Sequence, residues 1–367
     1  MSKAKLEGNS EYNVSVNTMV AETSMEYLSK NKAMQISSLS RHTFDKLISS
    51  GKLVLHENED GKKYISSEEL ELFMMTKEYD ELLHGTVDKR NKLNDLTGKD
   101  WLPETKSFFY QKGLGVDSPE AQIEKLHPAP YSFQDIGKLV IFFTKKGMKV
   151  LDPFGGVGST AKACEVNGRT CTSIELSPKW HELSIKRLET ETGEGTSKNH
   201  TFINGDSCEE LKKLKTDSFD FMVTSPPYWG ILAKKDQKVK KNRVANNLAT
   251  KYSDDDKDLG NVENYNEFLN ILVKKIFMEC ARIIKSGKYM AIVVSDFRDK
   301  SDFISFHSDL IQKMNNAPIT SGGVLKLQGV KILIQNHKSL LPYGYPFAYV
   351  ENIHHQYVLI FRKERKS

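Results

Sequence analysis

Lys149-Val150-Leu151-Asp152-Pro153-Phe154-Gly155-Gly156-Val157-Gly158-Ser159-Thr160 is the stretch that decides the fold. A short apolar strand runs into an acid, then into a glycine-rich turn, and Thr160 to Asn167 continues as a helix. Glycines at 155, 156 and 158 let the backbone approach a ligand closely. The spacing is neither Gly-x-Gly-x-x-Gly nor Gly-x-x-x-x-Gly-Lys, which disfavours a dinucleotide or a P-loop phosphate.

Working outward, the same arrangement repeats. A second strand, Thr170 to Ile174, ends in Glu175, placed to accept from ribose hydroxyls. A third ends in Asn204-Gly205-Asp206. An apolar run from Phe219 to Val223 reads as a buried strand and leads into Thr224-Ser225-Pro226-Pro227-Tyr228-Trp229. Two prolines have no N–H for a ladder, so this strand stops at Ser225. The Pro226 carbonyl is left unpaired, with a hydroxyl before it and an aromatic face after it. Two acceptors and a ring suit a planar group that bears an NH₂; the plainer alternative is a strand-ending loop with a core tyrosine. Strands and helices interleave from Lys149 to Met314, which predicts an α/β fold with a mostly parallel sheet covered on both faces. Ligands of such sheets bind at the carboxyl ends of strands, where Asp152, Glu175, Asp206 and Ser225 all fall.

Strands ending in Asp152, Glu175 and Asp206, followed by Ser-Pro-Pro-Tyr, resemble the S-adenosylmethionine-dependent amino-methyltransferases of DNA. The Ser-Pro-Pro-Tyr variant is most similar to the cytosine-N4 type. The resemblance covers roughly residues 120–362. It implies a Rossmann-like methyltransferase sheet with an antiparallel last pair, S-adenosyl-L-methionine as cofactor and double-stranded DNA as partner. It implies a cofactor site of Asp152, Pro153, Phe154, Gly155, Gly156, Gly158, Ser159, Thr160, Glu175 and Asp206. Pro130 and Tyr131 join it from a segment, His127 to Gln134, that resembles the one closing over the methionine end of the cofactor; an ordinary capped helix start is the alternative. Catalysis falls to Ser225, Pro226, Pro227 and Tyr228. Hydrogen bonds from the exocyclic amine to Ser225 Oγ and the Pro226 carbonyl would localise its lone pair, with Tyr228 stacked on the flipped base. Ring-carbon methylation uses a cysteine nucleophile, usually after a proline, and none of Cys164, Cys171, Cys208 and Cys280 follows one. Adenine N6 in DNA remains an alternative target, since both bases present an NH₂, and an RNA base is another. A DNA-binding regulator with an idle methyltransferase fold is the alternative of a different class. A cognate restriction endonuclease is a possible partner.

The pattern Leu39-Ser40-Arg41-x-Thr43-Phe44, then Gly61-Lys62-Lys63-Tyr64-Ile65-Ser66, resembles the excisionase and MerR-type winged helix-turn-helix. A first helix is expected from about Ser24 to Met34, a second from Arg41 to Ser49 behind Ser40, a hairpin of Lys52 to Leu55 with Lys62 to Ile65, and a last helix ending near Met75. On that resemblance Arg41, His42 and Lys46 face DNA, and Lys62 and Lys63 lie on the wing; a protein-docking module with solvated charges is the alternative. The domains are then 1–23 as a flexible N-terminus, 24–76 as the winged helix-turn-helix, 77–120 as a connecting segment and 121–367 as the catalytic domain. Phe108-Phe109-Tyr110 in the connecting segment reads as core.

After Trp229 a loop carries Lys234, Lys235, Lys238, Lys240, Lys241 and Arg243 around Asp236; its place directly after the motif suggests phosphate contact, and a solvated basic face is the alternative. Asn264 to Lys285 bears one apolar stripe and reads as a long helix stopped by Gly287. Asp296 and Arg298 either bind each other or line the cleft. Ser301 to Met314 reads as a helix, and Lys331 to Gln335 with Tyr357 to Arg362 as two strands. His354 and His355 would point to opposite faces of a strand, so no metal site is expected. With 38% hydrophobic and 28% charged residues and a net charge of +5, the chain reads as soluble, and it permits a polyanionic partner without demanding one. The cysteines form no Cys-x-x-Cys pair, no apolar run reaches membrane-spanning length and the N-terminus lacks a signal-peptide core. Those features point to the cytoplasm and to no membrane partner.

Overall fold

The computed structural model describes residues 27–112, 126–127, 131–230, 255–336 and 338–365. The chain divides after Thr86.

In the first unit, β1 (Tyr27–Leu28), β2 (His56–Glu57) and β3 (Lys63–Ser66) pair antiparallel in the order β1-β3-β2. Four helices accompany them: α1 (Lys30–Ser37), α2 (Arg41–Ser49), α3 (Ser67–Met74) and α4 (Lys77–His84). Each starts on a hydroxyl that accepts from a first-turn N–H: Ser29 from Lys32, Ser40 from Thr43, Ser66 from Glu69 and Thr76 from Tyr79. Ala33, Phe44, Leu47, Leu53, Ile65 and Leu70 form the core.

Three expectations are corrected here. The first helix begins at Lys30, because Tyr27 and Leu28 are taken up as a strand against Ser66 and Ile65. Lys52 to Leu55 is no strand: the Lys52 and Leu53 N–H groups bond back to the Leu47 carbonyl, wrapping the chain around the end of α2 and burying Leu53. The α4 helix, expected in a connecting segment, falls within this unit, where Tyr79, Leu82 and Leu83 pack on its core.

The second unit holds a nine-stranded sheet. Its strands are β4 (Phe108–Tyr110), β5 (Lys149–Asp152), β6 (Thr170–Glu175), β7 (Thr201–Asn204), β8 (Phe219–Thr224), β9 (Ile284–Val294), β12 (Ala317–Pro318), β13 (Val324–Ile334) and β14 (His355–Glu364). The order is β12-β13-β14-β9-β8-β5-β6-β7, with β4 beside β13. From β9 to β7 all neighbours are parallel. β14 runs antiparallel between β9 and β13. A separate hairpin joins β10 (Phe297–Asp299) and β11 (Asp302–Ile304).

Alternation along the strands explains why both faces are covered. Leu151, Met222, Ile292 and Leu359 point into one core; Val150, Val223, Val293 and Val358 point into the other. On the first side lie α9 (Ser207–Lys213), α10 (Tyr265–Ile271) and α11 (Met278–Ile283), the last two joined by a π-helical stretch, Leu272–Phe277, and also α12 (Phe306–Met314). On the second lie α6 (Phe133–Phe143), α7 (Ser159–Val166) and Leu188 of α8 (Pro178–Thr192). A short helix, α5 (Gly98–Glu104), precedes β4.

The long helix stops at Ile283 rather than Lys285, and β9 begins at once and runs through Gly287. There its register on β8 shifts, Phe219 facing Ile284 and Phe221 facing Tyr289. The helix expected from Ser301 begins at Phe306, since Asp302 to Ile304 pairs back on Phe297 to Asp299. Of the aromatic run, Phe109 packs on the core while Phe108 and Tyr110 are exposed. The four cysteines are buried free thiols. No helix among the described residues is long and apolar enough to cross a membrane.

Candidate active site

A cleft opens at the carboxyl ends of β5, β6 and β8. Its wall includes Pro153, Phe154 and Gly156 of the glycine-rich turn, Glu175 at the end of β6, Asp206 after β7, and all of Ser225, Pro226, Pro227 and Tyr228. The sheet thus gathers residues from four separate strand ends, as expected of a parallel α/β layout.

The turn is shaped by close approach. Gly155 N donates to the Ile174 carbonyl at 2.8 Å, and a Cβ on Gly155 would stand 1.9 Å from Ser173 Oγ. Only glycine fits there. Behind the turn lies a buried ionic cluster. Arg187 donates to the Val157 carbonyl at 3.2 Å and to Ser159 Oγ at 3.1 Å, while Glu191 takes both Arg187 and Lys162.

Asp152 is also behind the cleft and not on its wall. Its Oδ1 accepts from Phe154 N at 3.0 Å and from Thr224 Oγ1 at 2.6 Å. Its Oδ2 accepts from Tyr131 OH at 2.8 Å and from Thr160 Oγ1. Burial raises the Asp152 pKa above its ordinary value, and these four bonds oppose that rise. Asp152, Tyr131 and Thr160 therefore tie together β5, β8, α7 and the segment before α6. Gly158 and Ser159 lie behind the cleft with them.

Glu175 faces the opening with each oxygen held by one backbone donor. Gly156 N reaches Oε2 and Ser177 N reaches Oε1, both at 2.8 Å. Burial, helped by the negative charges of Asp152 and Asp258, pushes its pKa up to about 7 against those two donors. Asp206 caps α9 through Cys208 N at 2.9 Å and still lines the cleft.

Tyr228 packs edge-on against Phe297 and Phe306, with centroids at 6.5 and 6.4 Å. Its hydroxyl accepts from Gln356 Nε2 at 3.3 Å. Burial raises its pKa, opposed by hydrogen bonds with Gln356, the Ser295 backbone and the Ser225 hydroxyl. Trp229 donates from Nε1 to the Val262 carbonyl at 2.8 Å and so ends the motif in the core. Asp296 pairs with neither of its expected alternatives: both its oxygens lie 2.8 Å from His307 Nδ1, and Arg298 instead donates to the Ser301 carbonyl.

Besides His127, which heads the segment expected over the cofactor, the cleft is lined by residues that the sequence reading did not assign to it. His127 and Trp180 meet edge-to-face at 5.1 Å on one wall, and Asp258, Leu259 and Ile276 stand on another. Trp180 lies five positions past Glu175, on the helix after its strand, and that position was its one available signal. Asp258 has no motif around it; its carboxylate takes Gly260 N at 2.9 Å. Arg41, His42, Lys46, Lys62 and Lys63 are exposed in the first unit. Pro130, Lys234, Lys235, Lys241 and Arg243 lie outside the described residues.

Residues 12–186 match the family model for DNA methylases. The match takes in the glycine-rich turn and Glu175 and ends before Ser225. The type II methyltransferase M.BglI of Bacillus subtilis is 34% identical over 106 residues, which are 29% of this chain and 28% of that enzyme. The type II methyltransferase M.Cfr9I of Citrobacter freundii is 34% identical over 65 residues, 18% of this chain and 22% of that enzyme. The chain thus spans about a third or less of the length of the curated relatives it matches. Among solved structures, an S-adenosylmethionine-dependent methyltransferase of Methanosarcina mazei overlays with a TM-score of 0.34 at 14% identity, over 60% of this chain and 94% of that one.

Proposed function

We propose that this chain methylates DNA on an exocyclic base amine, with S-adenosyl-L-methionine as methyl donor. One observation carries the reading: Ser225-Pro226-Pro227-Tyr228 faces the same cleft as Glu175, Asp206 and the glycine-rich turn. A methyl acceptor site and a nucleoside site thus share one opening. The DNA methylase family match supports the class of substrate.

The residues present fit the cofactor. Glu175 offers acceptor lone pairs to ribose hydroxyls, and Asp206 and the Pro153–Gly156 backbone stand beside it. The absent side chain at Gly156 leaves room that a Cβ, 3.4 Å from His127, would begin to fill. The bound cofactor supplies a methyl group already electrophilic on its sulfonium. What remains for the chain is positioning. The amine of cytosine or adenine is a poor nucleophile because its lone pair is conjugated into the ring. Ser225 Oγ and the Pro226 carbonyl accept from its two N–H groups, which localises that lone pair and aims it. The proton leaves after transfer, so no strong base is required beforehand. A duplex hides the amine, so the base must leave the stack, and Tyr228 is the surface it meets.

Cytosine N4 in double-stranded DNA is the target favoured by Ser225 ahead of Pro226-Pro227, with adenine N6 as the alternative. Methylation of mixed-sequence DNA followed by nucleoside mass spectrometry decides it. N4-methylcytosine is the expected product. N6-methyladenine alone would move the assignment to the other base, and no methylated nucleoside would remove the reading.

A further inference from the structure

The loop between β13 and β14 displays large apolar side chains to solvent. Leu340 is 77% exposed, Tyr345 81%, Phe347 92% and Tyr349 83%. Isolated exposed aromatics are ordinary, but a run of them on one tip marks a surface that contacts something. The tip is also built. Asn352 clamps its base, taking Leu341 N on Oδ1 and giving Nδ2 to the Leu341 carbonyl, both at 2.9 Å. The Gly344 carbonyl accepts from Phe347 N and Ala348 N at 2.7 Å each, and a Cβ on Gly344 would stand 2.3 Å from the Ala348 carbonyl oxygen. Aromatics held out by such a scaffold are presented rather than merely left over.

Placement indicates what they meet. β14 pairs Tyr357 with Val294 at the carboxyl end of β9, so the loop leaves the sheet on the cleft side. Gln356, one residue into β14, bonds Tyr228. Tyr349 is seven residues from Gln356, a span of at most ~25 Å, or about seven base-pair steps of duplex. Within residues 338–353 the charged side chains are Lys338 and Glu351, of opposite sign, so the tip has apolar faces rather than charge to offer.

We infer that Tyr345, Phe347 and Tyr349 form a stacking wedge that inserts into the DNA base stack beside the nucleotide entering the cleft. This rests on the methyltransferase reading of the cleft. The wedge holds open the stack that the departing base leaves, through ring faces and without phosphate contacts.

The test has two arms. In the first, the intact protein is irradiated on duplex DNA substituted with 5-iodouracil, which crosslinks to stacked aromatics, and the peptides are sequenced. Crosslinks within residues 339–350 are expected; crosslinks confined to other segments overturn the wedge. In the second, Tyr345→Ser, Phe347→Ser and Tyr349→Ser are combined. On native DNA kcat/KM should fall roughly 10- to 100-fold, while cofactor affinity and the salt dependence of DNA binding stay as in wild type. Equal activity of variant and wild type, or an altered salt slope, overturns the wedge while the reading of the cleft stands. A wild type that crosslinks through the loop yet transfers no methyl group overturns the reading of the cleft and leaves the stacking contact standing.

Discussion

Asp152 receives four hydrogen bonds and gives none, which separates it from the acids that line the cleft. Asp152→Asn should therefore act first on stability. Its NH₂ cannot accept, so buried donors are stranded, at about 1–3 kcal/mol each. A lowered denaturation midpoint is the expected result; an unchanged midpoint with weakened cofactor binding would make it a direct ligand after all. Glu175 makes an opposite prediction about pH. Its folded pKa of about 7 lies above its ordinary 4.5. The stability it contributes is full below pH 4.5 and is lost as pH rises through 7. Ribose hydroxyls favour the carboxylate, so cofactor binding near pH 6 should release a proton, and affinity should fall up to about tenfold per pH unit below 7. Calorimetry in buffers of different ionisation heat measures that proton, and Glu175→Gln should abolish it. At Tyr228 the ring and the hydroxyl separate. Tyr228→Ala should cost most of the activity, while Tyr228→Phe leaves Gln356 Nε2 without its acceptor and costs about 1–2 kcal/mol of stability with a smaller kinetic loss. Loss of activity in Tyr228→Phe as deep as in Tyr228→Ala would remove the stacking role.

At the scale of elements, the parallel strands were legible because each is a short apolar run with an acid or a proline pair at its end. β5, β6 and β8 fall within a residue or so of their expected limits. Long-range pairing was not legible. The residue pair Tyr27-Leu28 became strand only because Ser66 and Ile65 lie opposite, and Asp302 to Ile304 only because Phe297 to Asp299 do. The same limit applied inside the cleft. Trp180, Asp258 and Ile276 come from elements that carry no motif, and only the fold assembles them. The acids were legible as strand-end residues, but nothing in sequence distinguished Asp152, consumed by internal donors, from Glu175, which faces the opening. Gly155 tests the turn as a unit. Gly155→Ala must displace Ser173 or the turn itself, and overpacking of this kind costs about 1–3 kcal/mol. Both the thermal midpoint and cofactor affinity should drop; retention of both would mean the turn has slack that its geometry does not show.

For the whole chain, the first unit presents its basic side chains without burying them: Arg41 and Lys46 project from α2, while Phe44 and Leu47 face inward. If that unit holds DNA, its contribution is largely electrostatic. Arg41→Gln, Lys46→Gln, Lys62→Gln and Lys63→Gln together should raise KM for DNA and leave cofactor binding alone. The slope of log affinity against log salt should flatten by about 0.9 for each phosphate that is no longer neutralised. An unchanged slope would assign the unit another task.

The two-sided burial of β14 has a consequence for how this architecture can vary. With Val358 and Ile360 in one core and Leu359 and Phe361 in the other, a slip of one residue would exchange every side chain between layers. The strand is thus locked in phase, and Gln356 is locked with it. Insertions, deletions or wholesale grafts between β13 and β14 would be absorbed outside the sheet, leaving the cleft undisturbed. If the cleft acts on DNA as proposed, the loop is an interchangeable part: descendants of one scaffold could trade it for another and change what the molecule grips without rebuilding the chemistry beneath.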